Sequence, residues 1–371
     1  MPIIPGQTLL FIDEIQMIPK AVTALRYFYE QIPELHVIAA GSLLDFAVEQ
    51  VGIPVGRVES LYLYPMSFLE FLLAMDSDIL VEEILSHPVD EPMSEPVHNK
   101  MLSLVGEYIA IGGMPGVVEC WLETKDASRC FALHHALIDT YRHDFVRYTK
   151  NFQIKYVEAV FNEIPKQLGK KFKYSSIDGE YRKRELAPAL DLLVTAGIAH
   201  KVTHSSGQGI PLGAGVDPEA YKIIFLDIAL SQAVLGLDLA VWFLNPAQQF
   251  INKGELLEAF VDQELLACAN PHGKHYFYYW QRNVPSSSAE VDYLIQSGEK
   301  IIPIEVKSGA GTTLKSLFLF LESHPKTSVG VRFSTQNYSL HNAIHSYPLY
   351  AVAKIISDKN NNLKQAIEKL V

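Results

Sequence analysis

Thr8-Leu9-Leu10-Phe11-Ile12-Asp13-Glu14 is the stretch on which the fold class of the first part of the chain turns. A short, unbroken apolar run that stops at two acids reads as a strand buried on both faces. Working outward, Pro19 to Tyr29 carries a helical pattern closed by Ile32-Pro33. His36-Val37-Ile38-Ala39-Ala40 is a second buried-strand run, ended by Gly41-Ser42. Strand, crossover helix and strand make a parallel βαβ unit, so this part is α/β. Ser60-Leu61-Tyr62-Leu63-Tyr64, stopped by Pro65, is a third strand candidate.

From Ser67 to about Thr149 the chain reads as helices, broken at His87-Pro88-Val89-Asp90-Glu91-Pro92 and turned at Gly112-Gly113-Met114-Pro115. Helix, helix, strand, Gly-rich turn and strand then follow, with Leu186 to Ala196 as the second helix and Tyr221 to Leu226 in the last strand. That order is the outline of a winged-helix module. The remainder predicts a helix over Gly254 to Ala269, three strand runs, and a further helix and strand. There is no internal repeat and no low-complexity segment.

The 371 residues are 49% hydrophobic and 20% charged, values of ordinary globular protein that exclude disordered and fibrous classes. Cys120, Cys130 and Cys268 offer no C-x-x-C pair, which argues against a disulfide framework or zinc ribbon and for a reducing, cytoplasmic setting. No apolar run reaches the roughly 18 residues of a membrane helix, so no membrane partner is expected. The net charge of −11 lies in residues 1–100, which hold 15 acidic and 4 basic residues. A whole-protein polyanion binder is disfavoured, but Lys166 to Arg184, with seven basic residues, remains a local candidate for nucleic-acid contact.

Two constellations carry chemistry. Asp13 and Glu14 end an apolar strand in the manner of a Walker B element, in which one acid holds magnesium through water and the next polarises the attacking water. Ser42 stands where such ATPases keep a γ-phosphate sensor, though Gly-Ser after a strand is more often a helix N-cap. The partner motif G-x-x-x-x-G-K-[ST] has no match, so Mg-ATP binding is expected to be weak or absent.

The more specific constellation flanks Gln296-Ser297-Gly298-Glu299, which reads as the turn of a β-hairpin. With Ser297-Gly298 at the tip, Asp292 is expected opposite Pro303 and diagonal to Glu305, near enough to share a metal. Asp292, Glu305 and Lys307 make a D…E-x-K arrangement, in which acids hold a divalent ion, magnesium or manganese, and the lysine orients or activates water against a phosphodiester. Glu258, with Glu264 as alternate, is the further acid expected from a preceding helix. The bland reading is the wet face of a sheet. His134-His135 and His143-Asp144 read as helix-surface residues, and His275 to Trp280 as a core strand.

Taken together, Leu9 to Gln16, Ala40 to Leu44, Gly56-Arg57-Val58-Glu59, Leu63 to Phe68, Gly112 to Pro115, Ile224 to Asp227, Ala289 to Asp292 and Pro303 to Ser308 make the chain resemble a known family. It is that of prokaryotic AAA+ ATPases with a C-terminal domain of unknown function and a restriction-endonuclease-like core. The resemblance implies Asp13 and Glu14 as Walker B acids, Ser42 as sensor-like and Arg57 as a phosphate- or neighbour-sensing arginine. It implies a partial AAA+ (P-loop-type) parallel sheet over 1–72, a helical lid over 73–150, a winged-helix-like module over 151–235 and a restriction-endonuclease-like α/β domain over 236–371. The expected strand and Walker A loop upstream of Asp13 do not occur in the sequence, so an N-terminally truncated member with impaired ATP binding is expected. Three functions follow: a AAA+ ATPase-family protein, a metal-dependent nuclease or DNA-structure binder, and a non-enzymatic interaction module. DNA, through the winged helix and C-terminal domain, and oligomer partners are the expected associations.

Overall fold

The computed structural model describes residues 3–41, 52, 56–148, 153–237, 254–282, 289–308 and 314–357. Strand β1 (Leu9–Ile12), helix α1 (Pro19–Gln31) and strand β2 (His36–Ala39) form the expected unit, and the strands pair in parallel from Leu9 beside His36 to Ile12 beside Ala39. Pro19 opens α1 at a position where its missing N–H leaves no bond unmade. Contrary to the sequence reading, β1 is not buried on both faces. Leu9, Phe11 and Ile38 are each more than half exposed, and the local core is small, with Ile15 and Val22 at its centre. Ser60 to Tyr64 is not a strand either. It is tied instead to the far part of the chain, the Tyr62 N–H donating to the Pro271 carbonyl at 2.9 Å.

The helical reading holds: α2 (Phe68–Ala74), α3 (Asp78–Ser86), α4 (Glu95–Ile111), α5 (Pro115–Thr124) and α6 (Ala127–Tyr148). Ser67 and Glu70 close a capping box on α2, each side chain accepting the other's backbone N–H. Between α4 and α5, Gly112 takes φ 77°, and a Cβ on Gly113 would strike the Met66 carbonyl oxygen. His134 is not on the surface: it is fully buried, its Nε2–H donating at 2.8 Å to the Ile111 carbonyl at the end of α4. Among the described residues no single helix is long and apolar enough to cross a membrane.

Next come α7 (Ile154–Glu163), α8 (Lys183–Thr195), β3 (Ala199–Ser205), β4 (Val216–Phe225) and α9 (Ile228–Val234), in the helix–helix–strand–turn–strand order expected. Then follow α10 (Gly254–Ala267), β5 (Phe277–Gln281), β6 (Glu290–Ser297), β7 (Lys300–Lys307), α11 (Lys315–Ser323), β8 (Gly330–Ser334), β9 (Ser339–His341), β10 (Ile344–Pro348) and α12 (Val352–Ser357). The β3–β4 pair does not stand apart. β3 also pairs in parallel with β5, giving one eight-stranded mixed sheet in the order β4-β3-β5-β6-β7-β8-β10-β9. Tyr293, Ile304, Val306 and Phe333 join the core that includes α10, while Val291, Leu294 and Ile301 join a separate core with α11. The sheet is therefore covered on both faces.

A buried polar hub locks the helices to this sheet. Asp227 accepts from the Leu230 N–H as the N-cap of α9 and from the Gly113 N–H at 2.7 Å. Gln263 on α10 accepts from the Ile228 N–H and donates to the Tyr108 hydroxyl, while Glu264 accepts from the Phe68 N–H at 2.7 Å. Residues that stand far apart in sequence thus satisfy one another's buried groups.

Candidate functional site

β7 carries Glu305 and Lys307, β6 carries Glu290 and Asp292, α10 carries Glu258, and β4 brings in Lys222. The hairpin turn is Gly298-Glu299, with Gly298 at φ 57° and Ser297 opposite Lys300. This moves the register from the one expected. Leu294, not Asp292, faces Pro303, the ladder runs to Tyr293 beside Ile304, and Asp292 continues level with Glu305. On the other side Tyr278 faces Leu294 while Trp280 faces Val291, so Asp292 and Tyr293 together oppose Tyr279. A bulge of this kind re-aims a side chain. Here it leaves the Asp292 Oδ2 to accept the Val306 backbone N–H at 2.7 Å, in place of a ladder bond.

The charges are tightly interlocked. The Lys222 ammonium lies 2.6 Å from Glu258, 2.7 Å from Glu290 and 3.8 Å from Asp292, over the Tyr279 ring at 5.5 Å, and the residue is 3% exposed. Lys307 lies 2.5 Å from one oxygen of Glu305, and the other Glu305 oxygen is buried with no hydrogen-bond partner among the described residues. Four carboxylates thus face two ammonium groups in a site of low polarity, where like charges cannot all ionise. Burial and the neighbouring Asp292 raise the Glu305 carboxyl to about 7 and hold that of Glu258 well above its usual range. Burial works against both lysines, but the surrounding acids outweigh it, so Lys222 and Lys307 titrate above an ordinary lysine and stay charged.

Of the expected metal set, Glu258, Asp292 and Glu305 are electrostatic neighbours. They do not converge on one point, because Glu258 is turned onto Lys222. Among the described residues no three His, Cys, Asp or Glu side chains are disposed to hold a metal ion. The oxygen-only donors and the partnerless Glu305 oxygen nonetheless suit a hard divalent cation. Glu264, the alternate acid, belongs to the hub and not to this site.

Near the start of the chain Asp13 and Glu14 follow β1 and are both exposed. Glu14 sits in the left-handed region at φ 49°, its N–H bonded to Asp13 Oδ1 at 3.0 Å and its carboxylate accepting from Gln16. Arg57 pairs with Glu30 of α1 at 2.7 Å. Ser42 lies outside the described residues. In the basic stretch, Lys166, Lys170 and Lys183 are each paired, with Glu163, Glu255 and Glu219.

Residues 1–72 match the family model of an AAA domain, residues 102–240 that of a domain of unknown function (DUF8612), and residues 253–352 that of another (DUF4143). The matches support an AAA-type ATPase family. No curated protein and no solved structure matches the chain. The acidic centre spans two of these matches, since Lys222 falls in the second and Glu258, Glu290, Asp292, Glu305 and Lys307 in the third.

Lys222 and Glu290 were not singled out by the sequence reading. The signal for Lys222 was there: it is the one charge inside Tyr221-Lys222-Ile223-Ile224-Phe225, a run otherwise fit for burial. Glu290 carries no such mark.

Proposed function

We propose that this AAA-type ATPase-family chain acts on nucleic-acid phosphodiesters through the acidic centre of its eight-stranded sheet. The observation that carries the reading is Glu305: a buried carboxylate with one oxygen on Lys307 and the other free to meet a cation. Asp292 and Glu305 would hold a divalent ion, magnesium or manganese, and Glu258, bound to Lys222, would join them only on leaving that lysine. Such an ion, when bound, supplies Lewis-acid stabilisation of charge on the phosphoryl oxygens and lowers the pKa of water. Lys307, partly open to solvent, has two ammonium protons beyond the one given to Glu305, enough to orient water and neutralise a phosphate oxygen. Branched and linear DNA are to be incubated with the protein and manganese. Cleavage that falls at least about 100-fold in Lys307→Ala while DNA binding persists supports the reading. Equal cleavage by the variant refutes the role of Lys307, and DNA binding without any cleavage favours the interaction-module alternative.

A second reading, nucleotide binding beside β1, is favoured by the AAA-domain match and by two acids at the carboxyl end of a parallel strand, where open α/β sheets bind ligands. Titration of Mg-ATP tests it: binding that weakens about tenfold or more in Asp13→Asn supports it, and no binding by the parent chain counts against it.

A further inference from the structure

We propose that Lys222 is the resident cation of the acidic centre, its ammonium holding the place where a divalent ion would meet Glu258 and Asp292, so that metal enters only as Lys222 gives way. The inference rests on the phosphodiester reading above and concerns what controls that same site. Lys222 is brought by β4 into contact with acids from two other elements, Glu258 of α10 and Glu290 and Asp292 of β6. Its burial is nearly complete, and an ammonium is taken out of water only where several charges compensate it. A lysine here does what a metal does in such clusters, drawing carboxylates from separate elements to one point.

The cluster also has acid to spare. The second Glu305 oxygen and one oxygen of Asp262, a turn beyond Glu258 on α10, are buried without hydrogen-bond partners among the described residues. These are the groups a second, stronger cation would satisfy. A divalent ion on Glu258 and Asp292 would compete with the Lys222 ammonium for the same oxygens, so the resident lysine lowers metal affinity. Because Lys222 comes from the segment matched as a separate domain of unknown function, that segment sets the cation affinity of the sheet it shares with residues 253–352.

The test is calorimetric titration of manganese alone into the 371-residue chain, into Lys222→Met, and into Lys222→Met combined with Asp292→Ala. The expected result is manganese binding about tenfold or more tighter in Lys222→Met than in the parent, and lost in the double variant. Equal affinity in the parent and in Lys222→Met overturns the role of Lys222 and leaves the metal reading intact. No binding by any folded variant overturns the metal reading and this inference with it. Should Lys222→Met fail to fold, Lys222→Gln with Glu290→Gln removes one charge of each sign and keeps the balance. The same tightening is required of it, and affinity at or below that of the parent counts against the proposal.

Discussion

Two strands in this molecule run into acidic elements, and their surroundings are opposite. β1 leads into Asp13 and Glu14, with Leu9 and Phe11 more than half exposed and both acids open to water. β7 leads into Glu305, with Ile304 and Val306 buried and the carboxyl raised to about 7 by burial and Asp292. The two texts look alike, an apolar run and then charge. Their fates differ because burial belongs to the sheet and not to the strand. β7 lies between β6 and β8 with helices on both faces, whereas β1 has β2 as its one partner among the described residues. Glu305 is raised because its neighbours remove water from it and set a second carboxylate beside it.

The largest expected effect that separates the two regions is on stability. Phe333 is fully buried in the core of the large sheet, and Phe333→Ala is expected to cost about 3–5 kcal/mol. Phe11, 58% exposed, is expected to cost less than about 0.5 kcal/mol when changed to Ala. Urea denaturation of the two variants measures the difference. A cost for Phe11→Ala approaching that of Phe333→Ala would break the comparison, because it would mean that β1 is covered in solution.

The sequence was legible wherever local chemistry decides structure. The parallel β1–α1–β2 unit, the helices from Phe68 to Tyr148 and the strands of the hairpin follow from periodicity and from Pro and Gly punctuation. The hairpin turns at Gly298-Glu299 and not at Ser297-Gly298, and that one-residue slip displaces Asp292 by two positions against its partner strand. The bulge opposite Tyr279 carries no mark in the sequence, yet it is what turns Asp292 toward the Val306 N–H. The polar ring of His134 suggests surface, yet it is buried and satisfies a helix end. Gly112-Gly113 and Asp227 stood out as motifs, but that they meet, with Gln263, in one hub is a fact of topology. Ser60 to Tyr64 has a strand's alternation but forms no strand, and its Tyr62 N–H bonds to the Pro271 carbonyl instead.

That last stretch also gives a pH-dependent effect, where Tyr64 meets the large sheet. Tyr64 meets the His200 ring edge-on, with centroids 5.8 Å apart. Burial lowers the His200 imidazole to about 4, against a weaker opposing hydrogen bond to the Gly197 backbone, and its Nε2 is buried without a partner. A histidine that is neutral when folded and ordinary when unfolded stabilises the fold fully above the unfolded pKa of about 6.5. That contribution is lost as pH falls from about 6.5 toward about 4, at up to roughly 3 kcal/mol. Urea midpoints for the parent and for His200→Leu across this window are expected to diverge, the parent losing stability on acidification and the variant losing less. Tyr64→Ala lets water reach the imidazole, raises its folded pKa and makes the loss on acidification shallower. An unchanged slope in Tyr64→Ala would show that β3 and its neighbours alone bury His200, and that the N-terminal region rests on the sheet without shaping it.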